Sequence, residues 1–151
     1  MRLIRAELEL HTHEAFEVQD VTAAVLRQVE RAGLRDGLVH IASRHTTAAV
    51  VINEYEPNLL EDLGRWLRDI VPAGGWKHDA LARSLPGEPE NTRAHLAAML
   101  LGPSQTVAVS GGALALGTWQ RLLFVELDGP RRRSLALTLW GEFARGAEKE
   151  G

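Results

Sequence analysis

The segment that most restricts what this chain can fold into is TAAVVIN, residues 47–53. It is apolar almost throughout, which suits a central strand covered on both faces rather than a strand with one face in water. At its start stand Arg44, His45, Thr46 and Thr47, a polar knot between two apolar runs, and Asn53 and Glu54 close it. On the other side of the knot, DGLVHIAS (residues 36–43) reads as a second strand after a turn.

The remaining elements follow from the same kind of pattern. RLIRAELEL alternates apolar and polar residues with a period near two, which predicts an opening strand with one solvated face. In DVTAAVLRQVERAG, Asp20 can cap the free amides, Val21, Val25, Leu26 and Val29 recur at helical spacing, and Gly33 supplies the stop. EPNLLEDLGRWLRDIVP predicts a second helix with a stripe of Leu59, Leu60, Leu63, Trp66, Leu67 and Ile70, ended by Pro72. Residues 72–90 contain three prolines and three glycines and read as a long loop, of the kind that is functional or disordered. NTRAHLAAMLLG is a short helix starting at Asn91. QTVAVS, GALAL, WQRLLFVEL and, after a DGP turn, RSLALTLWGEF then read as strands, and ARGAEKEG as a frayed tail. Strands flanking a helical middle predict one α+β domain over residues 1–151, with about three helices and a mixed, mostly antiparallel sheet.

Composition removes several classes of function. The chain has no cysteine, so disulfides, thiolate metal sites and a cysteine nucleophile are excluded, and a reducing cytoplasm is the expected location. No apolar run approaches the ~20 residues of a membrane span, and the N-terminus lacks the apolar core of a signal peptide. Net charge is −3 without massed basic residues, so nucleic acid is not an expected partner.

Three of the six histidines stand in chemically suggestive places. His45 lies at a strand end, His78 in the Gly/Pro-rich loop, and His95 on the short helix, one turn from Asn91. Imidazoles from three elements can converge on one divalent ion, zinc or magnesium, with an open position for water or substrate. The plain alternative is that they are solvated surface residues. Glu54 reads either as a helix N-terminal acid or as a general base serving the His45 site. An extended strand between them would separate the two by roughly 30 Å at ~3.3 Å per residue, so a shared site needs a bend or a second copy of the chain. In GGALALGTWQ, the amides of Gly111 and Gly112 with Thr118 can hold an anion, or the glycines simply make a tight hairpin. In DGPRRR, Arg131 and Arg133 share a face and suit phosphate, while a charged strand edge is the competing reading.

Taken in order, GLVHIASRHTTAAVVINE, LLEDLGRWLRDIVP, WKHD, NTRAHLAAMLLGPS and GGALALGTWQRLLFVELDGPRRR resemble the YjbQ-type family, called secondary thiamine-phosphate synthases. The resemblance spans about residues 18–142. Two departures from the family pattern fall at Thr92-Arg93, on the pocket rim, and in VAVSGG, where a usual proline is absent. The resemblance implies a small α+β domain that assembles as a homotrimer, with sites at subunit boundaries and a divalent metal among the histidines. His45, Glu54, His78, Asn91, His95 and Gln120 fall in its characteristic blocks. It further implies an enzyme acting on small phosphorylated heterocycles, joining a pyrimidine methyl diphosphate to a thiazole phosphate with release of diphosphate. On that reading His45, His78 and His95 hold the ion, Arg131, Arg133 and the Gly111, Gly112 and Thr118 region hold phosphates, and Glu54, Asn91 and Gln120 act on the substrate. The alternatives are a non-catalytic trimer that binds a metal or metabolite, and a phosphate-ester hydrolase using the same residues.

Overall fold

The computed structural model describes residues 1–145; the end of the expected tail, from residue 146, lies outside the described residues. Strands β1 (Arg2–His11), β2 (Glu17–Asp20), β3 (Leu34–Ser43), β4 (Ala48–Asn53), β5 (Ser104–Ser110), β6 (Ala113–Leu114), β7 (Arg121–Glu126) and β8 (Arg132–Phe143) alternate with helices α1 (Thr22–Ala32), α2 (Pro57–Ile70), α3 (Lys77–Ser84) and α4 (Thr92–Leu101). The strands form two sheets, ordered β1-β8-β3-β5-β6 and β2-β7-β4. Every pairing among the described residues is antiparallel. The fold is thus a compact α+β domain, as expected, with two antiparallel sheets in place of one mixed sheet.

The larger sheet buries one face only. The alternation in β1 holds along its whole length, with even positions half-buried and odd positions exposed. The inner face carries Val39, Ile41, Val107, Leu135, Leu137 and Leu139 against α1, whose Val25 and Val29 are fully buried, and against Val50, Leu122 and Phe124 of the smaller sheet. The smaller sheet is covered on its second face too. There Ala49, Leu123 and Val125 meet Leu60 and Leu63 of α2 and Leu101 of α4.

Three expectations are corrected by this arrangement. TAAVVIN does have Ala48, Ala49 and Val50 buried on both faces, but β4 is the edge of its sheet and the central strand is β7. An apolar run reports burial by side chains, and α2, α4 and β5 cover this edge as effectively as another strand would. The loop over residues 72–90 contains α3, which makes a fourth helix. The α2 stripe is only half used: Leu67 is buried and Leu60 and Leu63 are half-buried, whereas Leu59, Trp66 and Ile70 are exposed. The helix limits follow local chemistry. Gly33 adopts the left-handed conformation and stops α1. Glu56 accepts the Asn58 and Leu59 amides at the start of α2, the capping role that the sequence had offered to Glu54 as one reading.

Antiparallel pairing of β4 with β7 decides where the chemistry sits. Ala48 lies opposite Glu126 and Asn53 opposite Arg121. The β3–β4 connection carrying His45 and the β7–β8 connection carrying Asp128 therefore leave from one end of the ladder. Glu54 and Gln120 leave from the other.

Candidate functional site

The histidine end rests on a buried ion pair. Glu126 and Arg133 are essentially inaccessible, and the guanidinium meets both carboxylate oxygens at 2.6 and 2.8 Å. Thr12 Oγ1 donates to Glu126 at 2.9 Å, and the Asp128 amide donates at 3.0 Å. Arg133 also donates to the hydroxyl and carbonyl oxygens of Thr47. Burial pushes the Glu126 carboxyl up, but the Arg133 hydrogen bonds, the Asp128 amide and Thr12 outweigh it and hold the group below the usual carboxylate range. This corrects the expectation that Arg133 meets a phosphate: its Nε and Nη2 are bonded inside the protein, and the residue is buried. The two opposite charges neutralise each other, which is what lets them be buried together.

His45 stands on this base. One residue beyond the last β3–β8 pair, Ser43 opposite Leu135, the Ser134 amide donates to His45 Nε2 at 3.0 Å. The side chain takes the amide that the departing strand has left. Burial, then the charge of Arg133, push the imidazole below its ordinary value, so it is neutral at pH 7. With Nε2 accepting, the neutral ring carries its proton on Nδ1. Neither nitrogen then offers a lone pair, and His45 is a hydrogen-bond donor.

His78 is built the opposite way. Asp79, in the first turn of α3, accepts the Thr92 amide at 3.0 Å and the Thr92 hydroxyl at 2.7 Å, which fastens α3 to the start of α4. Asp79 thus performs the capping that Asn91 would ordinarily perform, and the Asn91 side chain makes no cap. Instead Asn91 Nδ2 donates to Asp128 Oδ2 at 2.9 Å, and Asn91 Oδ1 faces His78 Nε2 at 3.2 Å. A carboxylate can only accept, so the amide orientation is fixed, and an amide oxygen facing Nε2 requires a proton there. Neutral His78 is left with a bare Nδ1. Arg131 closes the series, donating to Asp128 Oδ2 at 2.8 Å and to its carbonyl at 2.7 Å. Gly129, between them, has no room for a side chain: a Cβ would lie 2.2 Å from the Glu14 carbonyl oxygen.

The His78 and His95 rings meet edge to face, with centroids 4.9 Å apart. His95 and His45 line one open pocket of about 400 Å³ with Arg44, Thr46, Ala98 and Met99. Its floor is apolar and its polar wall is basic and hydroxylic. The structure therefore brings His78 and His95 together and places His45 on the pocket of His95. Among the described residues there is no group of three His, Cys, Asp or Glu side chains placed to hold a metal. The donor chemistry fits a metal at two imidazoles, those of His78 and His95; the lone pair of His45 is already taken.

The other expected residues lie elsewhere. Glu54 is exposed beyond the end of β4 and borders a separate apolar pocket of about 220 Å³ with Leu59, Leu63 and Leu101. Gln120 Oε1 accepts the Gly117 amide at 2.8 Å and closes its own turn, leaving Thr118 exposed and Trp119 71% exposed. Six residues of β4, about 20 Å at ~3.3 Å each, separate this end from the histidines. Gly111 and Gly112 form the β5–β6 hairpin. Their amides already donate to Asp36 Oδ1 and the Arg35 carbonyl, so the anion-binding reading is replaced by the tight-hairpin one. The sequence reading missed Asp79 and Asp128. Both stand inside quoted motifs, WKHD and DGPRRR, but each acts on a residue far along the chain.

Known proteins share this sequence and fold. The chain is 51% identical to a UPF0047 protein of Archaeoglobus fulgidus over 128 residues, covering 84% of this chain and 94% of the relative. It is 36% identical to the UPF0047 protein YugU of Bacillus subtilis, covering 89% and 97%. A solved structure of a hypothetical protein from Aeropyrum pernix K1 superposes with a TM-score of 0.84 at 40% identity, covering 92% of this chain and 99% of that one. A YbjQ-like protein from Sulfolobus solfataricus P2 gives 0.85 at 35% identity, covering 93% and 99%. The family model described as UPF0047 protein YjbQ-like matches residues 6–142, and this chain belongs to that family.

Proposed function

We propose that this chain is a metal-assisted enzyme acting on small phosphorylated heterocycles, in the manner of a thiamine-phosphate synthase, and that it works as a homotrimer. The observation that carries the reading is the His78–His95 ring pair beside a pocket of about 400 Å³ with a basic wall and an apolar floor. The floor suits a flat ring and the wall suits its phosphate. His78, through its bare Nδ1, and His95 would hold the ion, and imidazole ligands favour zinc over magnesium. When bound, the ion would neutralise charge on the diphosphate leaving group.

The chain's own residues take the other tasks. His45, which lines the pocket, has Nδ1 to donate; Arg44 lines the same pocket, and the exposed Arg131 would supply a second cation for an anionic substrate. In the reaction, the C–O bond between the methylene carbon and diphosphate breaks, its electron pair leaving with the oxygen. The lone pair of the thiazole nitrogen forms the new C–N bond. A site that stabilises the departing negative charge lowers this barrier without moving a proton.

Glu54 and Gln120 lie about 20 Å from the histidines along β4. A trimer with the site at a subunit boundary would bring them from a second copy. The test is turnover of the two phosphorylated substrates by wild type, His95→Ala, Glu54→Ala, and trimers mixed from the two variants. Each variant alone is expected to lose at least tenfold in kcat/KM, and mixed trimers to recover part of it. Full activity in His95→Ala would overturn the assignment, and absence of recovery would overturn the shared site.

A further inference from the structure

Asp128 does not line the pocket; it bonds Asn91 and Arg131. In this series Asp128 can only accept and Arg131 can only donate, whereas Asn91 and His78 can each do either. The amide of Asn91 could face either way if it met only His78, since an imidazole nitrogen can donate or accept. A carboxylate at 2.9 Å from Nδ2 removes that choice, and Arg131 donates to the same oxygen, Oδ2, at 2.8 Å.

We propose that Asp128 is a positioning residue: through Asn91 it fixes His78 in the tautomer with the proton on Nε2, and so directs a bare Nδ1 toward the place where a ligand binds. This rests on the reading of His78 as a metal ligand for its purpose, but not for its structural content. Histidines that bind metals are commonly oriented in this way by a partner on their second nitrogen, and loss of that partner costs 10–100-fold in affinity. Here the partner is an amide, which is neutral and can be turned over, so a carboxylate behind it is needed to make the tautomer unique. The contrast with His45 supports the point. Its Nε2 accepts from a backbone amide, and its proton is therefore forced onto Nδ1. Two histidines at one end of the fold are locked in opposite tautomers by neighbours that cannot switch roles.

The test uses ¹⁵N-labelled, metal-free protein at neutral pH. Two-bond proton–nitrogen correlation spectra report which ring nitrogen of each histidine carries the proton. In wild type, His78 is expected to be protonated at Nε2 and His45 at Nδ1. In Asp128→Ala the acceptor that holds the Asn91 amide is gone, so that amide can face either way, and the His78 proton should shift from Nε2 toward a mixture with Nδ1 while His45 is unchanged. Zinc affinity, titrated with the metal alone, should fall 10–100-fold. Protonation of His78 at Nδ1 in wild type, or an unchanged His78 tautomer in Asp128→Ala, overturns the proposal whatever zinc does. A tautomer shift with unchanged zinc affinity supports the proposal and counts against the metal reading. The wild-type spectrum alone can overturn the proposal, so it does not depend on the variant folding.

Discussion

The two ends of the β4–β7 ladder are built on different principles. At the end that begins β4 and finishes β7, each polar group answers to another: Glu126 to Arg133 and Thr12, Ser134 to His45, Asp128 to Asn91 and Arg131, and Asp79 to Thr92. At the end that finishes β4 and begins β7, Arg121 pairs with Asp20 and the Leu122 amide with Thr22, but the turn beyond them is open: Gln120 bonds within it, Trp119 is 71% exposed, and Glu54 is exposed. The comparison teaches that what sets the histidine end apart is a buried ion pair and interlocked side chains, not long-range hydrogen bonds as such, which both ends have.

This contrast can be broken by mutation. The largest effect is expected at the buried pair. Glu126→Ala leaves the Arg133 guanidinium buried without its counter-charge and should cost about 3–5 kcal/mol in urea unfolding. Replacing both partners with apolar residues should restore most of that loss, because the remaining core would hold no unpaired charge. A loss below about 1 kcal/mol in Glu126→Ala would show that the pair does not anchor this end.

A smaller effect is expected from pH. The folded-state value of His45 lies below the ordinary imidazole value of about 6.5, so below pH 6.5 the unfolded chain binds the proton first. Stability contributed by neutral His45 is thus complete above about pH 6.5 and is lost as pH falls below it. Glu126 and Asp20 are also held low, so their contributions persist to lower pH and are lost only below the ordinary carboxylate range. Urea midpoints measured from pH 8 to about pH 2 should therefore decline in two stages, and His45→Gln should remove the upper one. A single acid stage in wild type would contradict the half-buried, neutral state of His45. The smallest effect belongs to the other end: Gln120→Ala is expected to change stability by no more than about 0.5–1 kcal/mol, since only an exposed turn bond is lost. A loss equal to that of Glu126→Ala would erase the distinction between the two ends.

Much of the scaffold was legible because burial writes itself into local patterns. The alternation of RLIRAELEL, the valines of α1 and the glycine at its end needed only neighbouring residues to be read. The edge position of β4 was not legible, because an apolar run is the same whether a strand or a pair of helices covers it. Helix α3 was hidden by the glycines and prolines around it, and Asp79 holds it through Thr92, thirteen positions away. At the site, His78 and His95 were found from their types and settings, and they do meet. Arg133 was misread because a sequence does not show that Glu126 is waiting to neutralise it. The roles of His45 and Asp128 depend on which atom faces which, and only three-dimensional contacts decide that.

The central claim is that the tightly wired end presents two imidazole lone pairs, from His78 and His95, and withholds a third, from His45. Isothermal titration of zinc into metal-free protein tests it most directly. The account predicts saturable binding in wild type, loss of binding in His78→Ala and His95→Ala, and retention in His45→Gln. Equal zinc affinity in wild type, His78→Ala and His95→Ala would contradict it.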